Sequence, residues 1–135
     1  MRVWLFLKVV SIAVVCPHLV QAQGLPAPST WVNQRGSVLT VQSVDASSGK
    51  IVGNFVNNAP DTACLGSPGF DLAGKIENDD VKLYVTFKNQ TMDCRSITLW
   101  TGNLSGDKIT TIWELVYLTP DGFSTATGSD IFTKQ

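Results

Sequence analysis

The chain has 135 residues, enough for one domain around a single core, with ten basic residues set against eleven acidic ones. No run of lysine or arginine forms a patch, which argues against nucleic acid as a partner. The one histidine, His18, lies in a stretch expected to be removed, so the mature chain lacks a His-based triad and the commonest metal ligand.

Residues 1–22 carry the marks of a secretory signal. Arg2 gives a positive start, Val3 to Val15 form an apolar run interrupted by Lys8 and Ser11, and Val20-Gln21-Ala22 fits the small-residue cleavage rule. A membrane anchor fits less well, because the run is too short to span and carries Lys8 inside it. Cleavage after Ala22 is therefore expected, with the product secreted or periplasmic and no membrane segment left. Removing Arg2 and Lys8 leaves eight basic residues against eleven acidic ones, a formal −3. Cys16 leaves as well. Cys64 and Cys94 remain in an exported chain, which is what a single disulfide needs. With both cysteines oxidised, thiol catalysis and zinc are not expected either. Enzymatic activity is therefore not expected before any motif is read, and no catalytic residue, metal or cofactor is called for.

Residues 23–29, with Pro26 and Pro28, read as a flexible lead-in. From Thr30 to Lys134, short runs of apolar/polar alternation are separated by turn residues, and no helical period emerges. Strands are expected at about 30–33, 37–44, 50–57, 70–77, 80–88, 95–104, 108–118 and 123–133. Ser47-Ser48-Gly49, Asn78-Asp79, Ser105-Gly106-Asp107 and Pro120-Asp121-Gly122 supply the turn backbone between neighbours. Short links make neighbours antiparallel, and closing the sheet removes its unpaired edges. The expected fold is all-β, an eight-stranded antiparallel up-and-down β-barrel over 30–134, with a two-sheet sandwich as the alternative. One link differs: the long stretch from Asn58 to Gly69 holds Cys64 and opens at the same end as the link holding Cys94. A bridge between them, closing roughly thirty residues, is worth on the order of 3–4 kcal/mol in the loop-entropy model; its role is either that stability alone or the pre-ordering of a lid for a ligand.

Alternation then decides which side chains enter the barrel. Ser37, Leu39 and Val41 share a face, as do Ile51, Gly53, Phe55 and Asn57. So do Val81, Leu83, Val85 and Phe87, then Ser96, Thr98 and Trp100, then Ile109, Thr111, Trp113, Leu115 and Tyr117. Asp130 lies between a turn and an apolar closing run. One interior end collects Asn33, Ser37, Asn57 and Asp130, the other Ser96 and Thr98, with Phe87, Trp100 and Trp113 between. Taken singly, the tryptophans read as core and the polar residues as turn or cap groups. Together, six inward polar groups are too many for a packed core without a ligand or water.

The segments Trp31-Val-Asn-Gln-Arg-Gly-Ser37, Gly53-Asn-Phe-Val-Asn57, Ser96-Ile-Thr-Leu-Trp-Thr-Gly102, Ile112-Trp-Glu-Leu115 and Gly128-Ser-Asp-Ile-Phe-Thr-Lys134 resemble those of the avidin/streptavidin biotin-binding proteins. Each is weak alone; five in order at matching spacing are specific. The cysteine pair, and the absence of a tryptophan between Trp113 and Asp130, resemble the dimeric bacterial branch. The resemblance implies high-affinity, non-covalent binding of biotin or biotinylated molecules. By matching positions, Asn33 and Ser37 donate to the ureido oxygen, while Asp130 and Asn57 accept from its two nitrogens. Thr98 faces the sulfur and Ser96 the valerate carboxylate, and Phe87, Trp100, Trp113 and Leu115 wall the site. Phe55 stands where the family usually has a tyrosine donor, which implies a tight site lacking one hydrogen bond.

Outward residues carry a second expectation. Ile97, Leu99, Ile112, Glu114, Val116 and Leu118 point away from the barrel, and such neighbouring aliphatics suggest a homodimer or a higher assembly. A lipocalin-like carrier of another small ligand is the alternative function. A fatty-acid carrier, however, wants a buried cation where this chain offers Asp130.

Overall fold

A computed structural model of the chain describes residues 24–60, 64–88 and 94–135; the segment read as a signal lies outside the described residues. Eight strands follow in order: β1 (Ser29–Asn33), β2 (Val38–Val44), β3 (Lys50–Asn57), β4 (Gly66–Glu77), β5 (Asp80–Phe87), β6 (Ser96–Ser105), β7 (Lys108–Thr119) and β8 (Gly122–Lys134). Each pairs antiparallel with its sequence neighbour. The sheet closes where β8 returns to β1, with Trp31 opposite Lys134 and Asn33 opposite Phe132. This is the up-and-down barrel that the alternation and turn residues imply.

Seven strands fall within one residue of their expected ends, and β4 begins four residues early. Pro60, Gly66, Pro68 and Gly69 read as loop chemistry, yet the chain uses part of this stretch as a bulge. Phe55 pairs with Phe70 and Asn57 with Gly66, so two steps on β3 are matched by four on β4. Gly66 and Gly69 take φ of 98° and 91°, a region open to glycine at little cost, which lets the ladder resume beyond the kink.

Alternate residues fill the barrel, as in β5, where Val81, Leu83, Val85 and Phe87 are buried and the residues between them exposed. Trp31, Leu39, Val41, Ile51, Leu83 and Ile109 are wholly buried, each aliphatic contributing about 1.5–3 kcal/mol by leaving water. Leu25, in the segment read as a flexible lead-in, is buried in the same core. The links after β1, β3, β5 and β7 form one end of the barrel, the mouth. Towards it the inward set changes from aliphatic to polar and aromatic, and the barrel is no longer filled by its own side chains.

On the outer face Ile97, Leu99, Ile112 and Val116 are exposed as expected, Ile112 at 67 %. Leu118 departs from the alternation: it is half-buried and lines the mouth, where β7 nears its end and no longer presents two distinct faces.

Candidate ligand-binding site

The hollow half of the barrel is a cavity of about 400 Å³, within the usual range of small-molecule sites. All eleven residues expected to meet a ligand line it: Asn33, Ser37, Phe55, Asn57 and Phe87 on one side of the chain order, then Ser96, Thr98, Trp100, Trp113, Leu115 and Asp130. The first and second halves of the sequence therefore meet in one chamber.

Local hydrogen bonds fix what each polar group offers. Asn33 Oδ1 accepts from the backbone N–H groups of Arg35 at 3.0 Å and Ser37 at 2.9 Å. Its oxygen being engaged, the amide presents its N–H₂ as donor. Ser37 Oγ accepts from the backbone N–H of Asn58 at 3.0 Å and donates towards Asn57 Oδ1 at 3.4 Å. That second contact is long for a hydroxyl bond, so a better acceptor in the cavity can take the proton. Asn57 Oδ1 also accepts from the backbone N–H of Ala59 at 3.1 Å. The acceptor expected at Asn57 is thus shared with two protein donors, one of them weakly held.

Asp130 is 3 % exposed and is held from β6 and from the link between β1 and β2. Trp100 Nε1 donates to its Oδ2 at 2.8 Å, Gln34 Nε2 donates to its Oδ1 at 3.1 Å, and Arg35 Nε lies 3.9 Å from Oδ1. Gln34 is held by β8 itself, donating to Ser129 O at 3.0 Å and accepting from the Ile131 N–H at 3.0 Å. Two of the carboxylate's roughly four lone-pair sites are occupied, which leaves acceptor capacity for a ligand N–H.

The walls are aromatic. Phe55 packs on Trp100 at 5.0 Å between centroids and edge-on to Phe87 at 6.1 Å. Trp113 lies against Gly128, its partner across the ladder; a Cβ there would stand 2.3 Å from the indole Cζ2. Among the described residues, Trp113 Nε1 is the buried side-chain N–H without a hydrogen-bond partner. Arg35, Ala59, Cys64, Cys94, Arg95, Tyr117 and Leu118 line the rest of the cavity. The approach of Gln34 and Arg35 to Asp130 was not legible in the sequence, because it depends on the first and last strands meeting.

Cys64 and Cys94 stand side by side at the mouth, Cys64 Sγ donating to the carbonyl of Cys94 at 2.9 Å, and both are unbonded in this structure. The expected bridge is not formed in this structure. Burial, then the neighbouring Cys94, pushes the Cys64 thiol up to about 12, so it stays protonated at neutral pH and is a poor nucleophile. No cluster of three or more His, Cys, Asp or Glu among the described residues could hold a metal ion.

A closed barrel with a polar-headed, aromatic-walled chamber open at one end defines a small-ligand-binding β-barrel protein. The Avidin family model matches residues 21–135, and the chain belongs to that family. Afifavidin from Afifella pfennigii is 36 % identical over 118 residues, covering 84 % of this chain and 72 % of the relative. Hoefavidin from Hoeflea phototrophica is 32 % identical over 121 residues, covering 82 % and 73 %. Among solved structures, the bradavidin2–biotin complex superposes with a TM-score of 0.72 at 39 % identity, covering 82 % of this chain and 99 % of that one. The rhizavidin–biotin complex gives 0.73 at 33 %, covering 82 % and 92 %.

Proposed function

We propose that the protein binds biotin, non-covalently and tightly, inside the barrel, and holds it without chemical turnover. The observation that carries this reading is the convergence of the eleven expected residues on one chamber whose donors and acceptors complement a cyclic urea. The ureido oxygen takes the Asn33 amide N–H and the Ser37 hydroxyl. When Ser37 turns its proton to that oxygen, Asn57 Oδ1 is released to accept one ureido N–H. The Asp130 carboxylate accepts the other. The donors at the oxygen and the carboxylate at the nitrogen polarise the ring in the same sense, so the bonds strengthen one another away from bulk water. Phe55, Phe87, Trp100, Trp113 and Leu115 cover the apolar remainder, with Thr98 towards the sulfur and Ser96 towards the carboxylate. The biotin complexes of bradavidin2 and rhizavidin support the reading.

Titration with biotin, followed by tryptophan fluorescence and thermal unfolding, tests it. A ligand at a thousand times its Kd adds about 4 kcal/mol of stability, so a large rise in melting temperature is expected. A folded protein whose fluorescence and melting temperature ignore millimolar biotin rejects the reading. Within this site, Phe55→Tyr is expected to slow biotin release about two- to tenfold, since one added neutral hydrogen bond is worth about 0.5–1.5 kcal/mol. Displacement kinetics give the answer; an unchanged or faster off-rate means that no oxygen lies within reach of that ring.

Two further features belong to this proposal. After export and signal cleavage, into the periplasm or the medium, Cys64 and Cys94 form a bridge that holds the mouth loops in place for the ligand. The working unit is a homodimer, supported by the aliphatic patch of Ile97, Leu99, Ile112 and Val116 on adjacent strands. Non-reducing mass spectrometry tests the first and sizing chromatography at micromolar concentration the second; free thiols, or a monomer, remove them.

A further inference from the structure

One cation lining the chamber has no part in the scheme above. Arg35 sits in the link between β1 and β2, and its backbone N–H donates to Asn33 Oδ1, a bond any residue but proline could make there. Its side chain does something that few residues could. The guanidinium carbon lies 5.3 Å from the centroid of the Trp113 ring while Nε stands 3.9 Å from Asp130 Oδ1. A planar cation can stack on an aromatic face and direct N–H groups at a carboxylate in its own plane; an ammonium cannot do both. The side chain is 40 % exposed yet lines the cavity, so it stands between the chamber and bulk water.

We propose that Arg35 is a retaining arm: laid on Trp113 and paired with Asp130, it covers one flank of the chamber and slows the release of bound biotin. This inference rests on the biotin-binding reading and adds a residue to it. The separation of 3.9 Å is too long for a hydrogen bond, so the pairing leaves Asp130 free to accept from the ligand while the stacked guanidinium narrows the exit. Because the arm acts by covering the ligand rather than by pairing with the ligand's own carboxylate, it retains free biotin and a neutral biotin amide equally.

The test is the dissociation rate of biotin and of a biotin amide from the wild-type protein, Arg35→Ala and Arg35→Lys. Arg35→Ala is expected to release both ligands about three- to tenfold faster, with association changed less than about twofold. Arg35→Lys, keeping charge without the plane, falls between wild type and alanine. The melting temperature of the ligand-free variant stays within about 2 °C of wild type, since the loop is held by backbone bonds. Alanine rates within 1.5-fold of wild type (roughly, the resolution of such kinetics) overturn the inference while biotin binding stands. So does a loss confined to free biotin, or one that merely follows a fall in apo melting temperature. A wild-type protein that does not bind biotin overturns the functional reading, and the arm with it.

Discussion

Asp130→Asn is expected to weaken biotin binding by about 2–4 kcal/mol, roughly 30- to 700-fold, in a protein that still folds. Both carboxylate oxygens already receive an N–H donor, Trp100 Nε1 at Oδ2 and Gln34 Nε2 at Oδ1. An asparagine amide has one oxygen and one N–H₂ group. Whichever way it turns, a donor faces a donor: the indole N–H in one orientation, the Gln34 amide in the other. The bond to the ligand also loses its charge assistance. Competition binding against wild type measures the loss, and the ligand-free variant should melt lower too, because the unpaired donor is there with or without biotin. Affinity within about threefold of wild type would mean that the ligand does not touch this carboxylate.

Gly128→Ala is expected to cost about 1–3 kcal/mol of stability and at least a comparable amount of biotin affinity. The backbone there is one that any residue can adopt, so the penalty is the clash alone. The added methyl carbon would stand 2.3 Å from Cζ2 and 2.6 Å from Cε2 of Trp113, and the indole must move off β8, towards the cavity it walls. The diagnostic is a double variant. Trp113→Phe removes the atoms in the way, so adding Gly128→Ala to it should cost far less than adding it to the wild type. That coupling is read from melting temperatures and biotin off-rates over the four proteins. Additive losses would place the damage in the strand rather than under the indole.

The barrel was legible because each strand alternates cleanly and each turn carries its own chemistry, so local signals sufficed. The start of β4 was not, since Pro and Gly mark loops and bulges alike, and only pairing with β3 separates the two. The family resemblance named all eleven expected site residues, and inward alternation independently supported nine of them; Asn33 and Asp130 rested on the resemblance and their turn context alone. Gln34, Arg35 and Gly128 escaped for another reason. Each acts through a neighbour on a different strand: Gln34 and Arg35 on Asp130, close to a hundred positions away, and Gly128 on Trp113 across a ladder whose register the sequence leaves open. Leu118 was misread at a strand end, where strict two-fold alternation fades.

The polypeptide enters β1 and leaves β8 at the end of the barrel opposite the mouth: Lys134 lies across from Trp31 and donates its backbone N–H to Asp107 in the link between β6 and β7. A fusion partner joined at either terminus therefore projects away from the opening. Cargo tethered through the valerate tail would emerge from the other pole, so that a linked domain and a captured molecule are held apart along the barrel's axis, like two plugs in opposite sides of a coupler.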